Sequence, residues 1–314
     1  MDRSPWHNGE DKIHTTLGVT EKMHSLGRRM IRDHMPDQHR EFYESLEFVI
    51  LSALDKNGDI WPFVWAGPSG FISSPDAKTL IIDRGPLVGQ PDDLLLGVGD
   101  KISLLGIVPE TKRRNRMNGT ITRSSAEKIT ITVDQSYGNC PRYIHVREKG
   151  KSCVAGTVET RKTLSPEDKV LIRAASTLFI ASRPDRISDD PRDGIDVNHR
   201  GGLPGFVIIR SDDALIIPDY HGNNFFNTFG NILKDSRVGL LIPNFDTGDL
   251  LTLSGHGEVI FNDPADTELY GSDRYLIVSP RIIRKVPQAF PYIHKVAEYS
   301  LNPPEPPTNP KTIV

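Results

Sequence analysis

Three stretches of the 314-residue chain hold residue types whose spacing could do chemistry. The first is residues 218–235, PDYHGNNFFNTFGNILKD, which offers Asn223, Asn224, Asn227, Thr228 and Asn231. Asn and Thr at the start of a helix leave backbone N–H groups pointing outward. Short amide and hydroxyl side chains add donors, and together these suit a phosphate. Upstream, Asn198-His199-Arg200-Gly201-Gly202 sets a guanidinium beside two glycines that permit close backbone approach. Taken singly, the same residues also build turns and cap helices.

The second stretch is basic, Lys112-Arg113-Arg114-Asn115-Arg116. On a strand, Lys112, Arg114 and Arg116 share one face, with Arg113 and Asn115 on the other. Three readings stay open: a nucleic-acid or nuclear-localisation patch, a charged edge strand, or arginines lent to a site built elsewhere in the chain. The third stretch, SYGNCPRYI at 136–144, is dense in aromatic, amide, thiol and guanidinium groups. It reads as a loop over a cofactor or as a turn with one buried thiol. His145 is the sole histidine close enough in sequence for a Cys140–His nucleophile. Tyr137, His199 and His221 are the candidate proton donors, and no catalytic residue is singled out.

These residues need elements to hold them. At about 150 residues per domain the length suggests roughly two domains. Net charge is −3, which gives no global field for nucleic acid or anionic lipid, and no apolar run is long enough to span a membrane. The N-terminus lacks a signal-like apolar segment, so a soluble, cytoplasmic protein with free thiols at Cys140 and Cys153 is expected. His34 and His39 lie five apart, which does not place both on one helical face for a metal, and no metal site is expected.

Twenty-six glycines and 24 prolines imply many turns and short strands. Asp37 to Leu46 reads as a helix, FVILSAL (48–54) as a strand, and Asn57-Gly58 as a hairpin tip. Further strands are expected at Ile60–Ala66, Thr79–Asp83, Lys101–Val108, Asn118–Arg123 and Ile129–Val133, with SSPDAK among the turns between them. No helical period alternates with these strands, so an antiparallel barrel or sandwich fits better than a parallel sheet. Ser165-Pro166-Glu167-Asp168 opens a second helix, followed by the strand TLFIAS.

The order then repeats. Ser69-Gly70-Phe71-Ile72 matches Pro204-Gly205-Phe206-Val207, and Leu80-Ile81-Ile82 matches Leu215-Ile216-Ile217, at an offset of 135. Leu104-Leu105 matches Leu240-Leu241, and Gly119 matches Gly255, at 136. Two copies of one β unit, packed as a pseudo-dimer, is the expectation. Only the second copy carries the Asn/Thr loop, so one site per chain is expected.

Together SYGNCPRYI, ETKRRNRMNG (110–119), HRGGLPGFV (199–207) and PDYHGNNFFNTFGNI (218–232) resemble the pyridoxamine 5′-phosphate oxidase-like family of FMN-binding split barrels, in its tandem-barrel members. The resemblance covers roughly residues 40–265. It implies a mainly β protein: two tandem antiparallel split β-barrels with short flanking helices. The divisions would be an N-terminal arm (1–36), solvated or wrapped on a partner; a first barrel (37–160); a second with the phosphate loop (161–265); a C-terminal extension (266–302); and a Pro-rich tail (303–314).

The resemblance also implies FMN, held through His199, Arg200, Asn223, Asn227, Thr228, Asn231, Arg113, Asn139 and Cys140, with Arg210 the alternative to Arg200. The phosphate loop departs from the vitamin B6 oxidases, which place Ser, Arg and Lys there, and the strand that reads their substrate has no counterpart. Expected, then, is an FMN-dependent oxidoreductase acting on a small organic substrate, with NAD(P)H or a separate reductase as electron donor. A non-catalytic flavin or haem carrier is the alternative, with His256 the candidate axial ligand, and deazaflavin (F420) a further cofactor. Pairing of two chains stays open.

Overall fold

In the computed structural model, which describes residues 4–86, 88–152, 154–261 and 272–300, the chain is mainly β, with 44% strand and 17% helix. Cys153 and the Pro-rich tail lie outside the described residues. Helices α1 (Asn8–Thr16), α2 (Thr20–Met30) and α3 (Asp37–Glu44) come first. Strands β1 (Phe48–Leu54), β2 (Ile60–Ala66), β3 (Ile72–Asp76), β4 (Thr79–Asp83), β5 (Lys101–Val108), β6 (Arg113–Ser124) and β7 (Lys128–Gly138) form one sheet. After β8 (Val146–Ser152) and β9 (Glu159–Arg161), α4 (Pro166–Ala174) repeats the role of α3. The second sheet holds β10 (Thr177–Ser182), β11 (Asp196–Gly201), β12 (Ile208–Ile209), β13 (Leu215–Pro218), then, after α5 (Asn227–Lys234), β14 (Arg237–Pro243), β15 (Leu250–Phe261) and β16 (Arg274–Val286). A final strand, β17 (Tyr292–Glu298), pairs with β8.

The strand orders are β2-β1-β5-β6-β7-β4-β3 and β11-β10-β14-β15-β16-β13-β12. Replacing each strand of the first by its counterpart gives the second, so the repeat read from the sequence is a repeat of topology. Neither order joins its two edges, and each sheet is a curled half-barrel, open rather than closed. The shared glycines have physical reasons. Gly70 and Gly205 sit at φ +89° and +91°, where a side chain would be strained. Gly119 and Gly255 mark register shifts, β6 against β7 and β15 against β16, and a Cβ at either would fall within 2.5 Å of a carbonyl oxygen on the next strand.

Each sheet covers its own core, with Leu51, Leu104 and Met117 in the first and Ile180, Leu240 and Leu253 in the second. A third apolar cluster lies between the sheets and includes Phe48, Ile50, Leu105, Phe179 and Leu241. This explains why FVILSAL and TLFIAS are largely apolar runs. Val49 and Leu51 point into their own core while Phe48 and Ile50 point at the other half. The contact is reciprocal. Ser103 Oγ on β5 accepts from the Val197 N–H on β11 at 3.0 Å, and Gly239 on β14 lies so close to β2 that a Cβ would sit 2.4 Å from the Ile60 carbonyl oxygen.

Several expectations are corrected. Residues 4–36 are not a solvated arm: they hold two helices, and Trp6 is buried in one cluster with Tyr137 of one half and Phe225 of the other. SSPDAK is not all turn, since β3 runs Ile72–Asp76 with Ile72 buried. The second unit does not end at 265, because β16 is the counterpart of β7. Pro280 disguised it, and the bulge at Gly255 is what accommodates a proline inside the sheet. The basic run is not an edge: β6 is paired on both sides, and Lys112 lies outside it at φ +57°.

Gly239→Val should therefore lower stability by about 1–3 kcal/mol or more, because the obstacle is backbone. Gly194→Ala, with nothing nearer than 3.9 Å, is the control. Thermal melts that did not separate the two would contradict the close approach of the halves.

Candidate functional site

A cleft between the halves is lined by a concentration of polar groups. The first half contributes Arg114 and Arg116 from β6, and the 139–143 loop lies along the rim. The second half contributes Asn198–Gly201 of β11, the 218–226 segment and the start of α5. Of the residues expected from sequence, His199, Arg200, Asn223, Asn227, Thr228, Asn139 and Cys140 line this cleft. Asn231 lies one turn further along α5, and lines a smaller polar cavity with His7, Glu10 and Asp196. Arg113 does not reach the cleft. It stacks on Phe42 and donates to the Gln38 carbonyl, on the face of β6 opposite Arg114 and Arg116. Arg210 pairs with Asp212 outside the cleft.

At the back of the cleft is a buried network. Arg116, 1% exposed, meets Asp196 across the halves at 2.9 Å. Its Nη1 also donates to Tyr137 Oη (2.6 Å) and Asn227 Oδ1 (3.1 Å). Asp196 further accepts from Asn198 Nδ2, which donates to Thr228 Oγ1 as well. Asn227 Nδ2 donates to Glu10 Oε1 at 2.6 Å, and Glu10 Oε2 accepts from the His7 N–H. Asn231 accepts from His7 Nε2 and donates to Ser182. The amides of Asn227 and Asn231 are thus spent inside the protein. They fix α5 rather than reach for a ligand, which changes the role expected for them.

Groups left for a ligand are different. Phe226, the residue before α5, lies in the left-handed region, and no side chain caps the first N–H groups of the helix. The half-buried Arg114 side chain has no hydrogen-bond or ion-pair partner among the described residues, and its Nε is buried. Burial, with repulsion from Arg116 and Arg200, pushes its pKa down to about 9. Arg200 faces Asp219 at 3.7 Å, and Asp219 is held from its other side by Arg274. Asn139 Oδ1 is buried without a partner, and Tyr143 and Tyr220 form an aromatic pair 5.4 Å apart along the wall. His199 is buried against Phe179, and burial together with Arg114 holds its pKa well below the ordinary value, so the ring is neutral. Burial raises the Tyr137 phenol, which keeps its proton. His221 does not line the cleft with its ring, but its carbonyl accepts from Arg142 and Tyr143.

The counterpart position in the duplicate is closed. Arg116 pairs in register with Leu105, and Thr252 with the matching Leu241. Thr252 Oγ1 donates to the Gly89 carbonyl, in the loop that replaces the α5 segment. Glu10, His7 and Asp196 are absent from the site expected from sequence, and of the basic run, read there as one possible lender of arginines, Arg114 and Arg116 line the cleft where Arg113 is expected. For the arginines the signal existed, since alternation put them on one face together; for Glu10, far off in sequence, there was none. Among the described residues no helix is long and apolar enough to cross a membrane.

No family model matches the chain, and no curated protein matches it. Among solved structures, a protein of Lactobacillus delbrueckii assigned provisionally as a pyridoxamine 5′-phosphate oxidase aligns at 13% identity and TM-score 0.29, over 38% of this chain and 93% of that one. The haem storage protein HutZ of Vibrio cholerae aligns at 13% identity and TM-score 0.27, over 39% and 95%. An FAD binding protein of Mycobacterium smegmatis aligns at 11% identity and TM-score 0.26, over 39% and 95%. The functional reading therefore rests on the geometry of the cleft.

Burial pushes the Glu10 carboxyl up to about 7 from an ordinary 4.5. The folded chain then holds a proton that the unfolded chain releases. The stability from this group is fully present below pH 4.5 and is lost as pH rises through about 7, by roughly 3 kcal/mol in all. Melts across that window should slope downward in the wild type and less so in Glu10→Gln. Parallel slopes would mean that Glu10 is solvated.

Proposed function

We propose that the cleft binds a phosphate-bearing flavin, FMN, and that the protein is an FMN-dependent oxidoreductase acting on a small organic substrate. The observation that carries this is Arg114: a half-buried guanidinium at the cleft wall, repelled by two other arginines, without an ion-pair partner among the described residues, and lining the same cleft as the uncapped start of a helix. Such a charge is costly unless an anion meets it, and helix N-termini favour phosphate. The residues fit the group. Arg114, Arg200 and the backbone N–H groups of Asn227 and Thr228 would hold the phosphate. The Tyr143–Tyr220 pair offers flat faces for a ring, and the unsatisfied Asn139 Oδ1 an acceptor for a ring N–H.

When bound, the flavin supplies hydride and single-electron transfer. The chain binds and orients it, and the 139–143 loop shields one side from water. His199, neutral and at the cleft wall, can hold or receive a proton at a ring nitrogen. NAD(P)H or a separate reductase would supply the electrons. For the haem alternative, His256 is exposed on β15, bonded to Ser236 and outside the cleft.

Arg114→Met tests the reading because stability and binding should part. Removing an unpaired, half-buried charge should leave the melting temperature unchanged or raise it. FMN affinity, followed by absorbance during reconstitution, should fall about tenfold or more, for a loss of about 1–3 kcal/mol. Equal affinity in both proteins would remove the phosphate from Arg114. A wild type that takes up FMN but oxidises or reduces nothing with NAD(P)H and common acceptors would point to a flavin carrier.

A further inference from the structure

The N-terminal helix does more than cover the second half. Gly9 and Gly230 let α1 and α5 touch backbone to backbone: a Cβ on Gly9 would sit 2.2 Å from the Gly230 carbonyl oxygen, and one on Gly230 would sit 2.5 Å from Glu10 Cγ. That approach delivers a carboxylate to the positive end of α5. Glu10 Oε1 accepts from Nδ2 of Asn227, the first residue of the helix, whose Oδ1 in turn accepts from Arg116. An ionised Glu10 therefore draws on the helix dipole and the guanidinium field that an anion in the cleft would use.

Glu10 is also within reach of protons. It lines a small polar cavity with His7, Arg192 and Asp196, and His7 and Arg192 also border an open bowl at the surface. The charged and titratable groups facing it are His7 on its own segment, Asp196 on β11, Tyr137 on β7 and Arg192 on the loop before β11, while Arg116 on β6 reaches it only through Asn227. One cation, Arg116, is shared among Asp196, Tyr137 and the Asn227 amide that reaches Glu10, so two buried carboxyls compete for limited positive charge.

We propose that Glu10 is a positioning residue that couples proton uptake to anion binding in the cleft, acting through Asn227; this rests on the reading of the cleft as an anion site. An entering dianion and an ionised Glu10 oppose each other across Asn227. Protonation of Glu10 relieves the opposition, so binding draws in a proton and is tighter at lower pH.

Sulfate is the probe, because it remains a dianion across the range and any pH dependence then belongs to the protein. Sulfate affinity of the full chain, measured by calorimetry from pH 6 to 8, should fall on the order of fivefold as pH rises. Heats in two buffers of different ionisation enthalpy should show net proton uptake. Glu10→Gln and Asn227→Ala should each flatten the profile, whatever their stability, and His7→Gln should keep it. Binding with no slope in the wild type would overturn the coupling while leaving the anion site standing. A slope that survives in Glu10→Gln and vanishes in His7→Gln would overturn it in favour of the ring. An absence of sulfate binding at any pH would overturn the anion site and the coupling with it.

Discussion

The buried ion pair between Arg116 and Asp196 is the constraint on which the rest of the site depends. It joins β6 of the first half to β11 of the second, with both side chains almost wholly out of water. A pair so buried gains little stability over a well-packed apolar replacement, but removal of one partner strands the other. The surrounding polar groups follow from that. Tyr137, Asn118, Asn198 and Asn227 add further hydrogen bonds to the pair, Arg116 Nε alone of its nitrogens being buried without a partner among the described residues, and Asn227 carries the arrangement to α5. The pair thus sets the angle at which the helix start faces the cleft.

Duplication explains why there is one such place and not two. A pseudo-symmetric pair of sheets presents two equivalent seams, and the apolar cluster between them serves both. At one seam the strand carries Arg114 and Arg116, and the opposing loop becomes a helix. At the other the strand carries Leu250 and Thr252, and the opposing loop closes on Thr252. The first seam holds charge that only a ligand or an internal acid can balance, while the second is ordinary protein interior. Asp196 supplies the acid for Arg116, and no acid is supplied for Arg114. The imbalance is local and directional, as expected where stability has been given up for binding.

Much of this was legible in the sequence because it is periodic or local. The largely apolar runs FVILSAL and TLFIAS match β1 and β10 to the residue, and the matched glycines prove to be turns and bulges that need them. The Asn/Thr loop and the Asn198–Gly201 strand were placed at one cleft. What failed needed knowledge of direction or distance. Choosing Arg113 over its neighbours requires knowing which face of β6 is the core, and Met117 settles that only once the sheet exists. Amide side chains look alike as ligand donors and as braces, and only the partners found for Asn227 and Asn231 distinguish them. Glu10 is more than two hundred residues from Asn227 in the chain, with no local pattern to mark it.

The N-terminal segment ties these observations together. Trp6 packs edge-on against Phe225 of the second half, which itself packs on Tyr137 of the first, so this cluster joins by apolar contact the same two halves that Arg116 and Asp196 join by charge. Because Tyr137 bonds Arg116 and Phe225 sits in the loop before α5, the cluster adjoins both ends of the polar network. A cleft built from two half-barrels would be free to widen along its seam. A helix fastened at Trp6 and at Glu10, on either side of a buried ion pair, limits that freedom. It does so with groups that respond to protonation and to charge in the cleft, so the element that holds the seam shut is also the one that senses what occupies it.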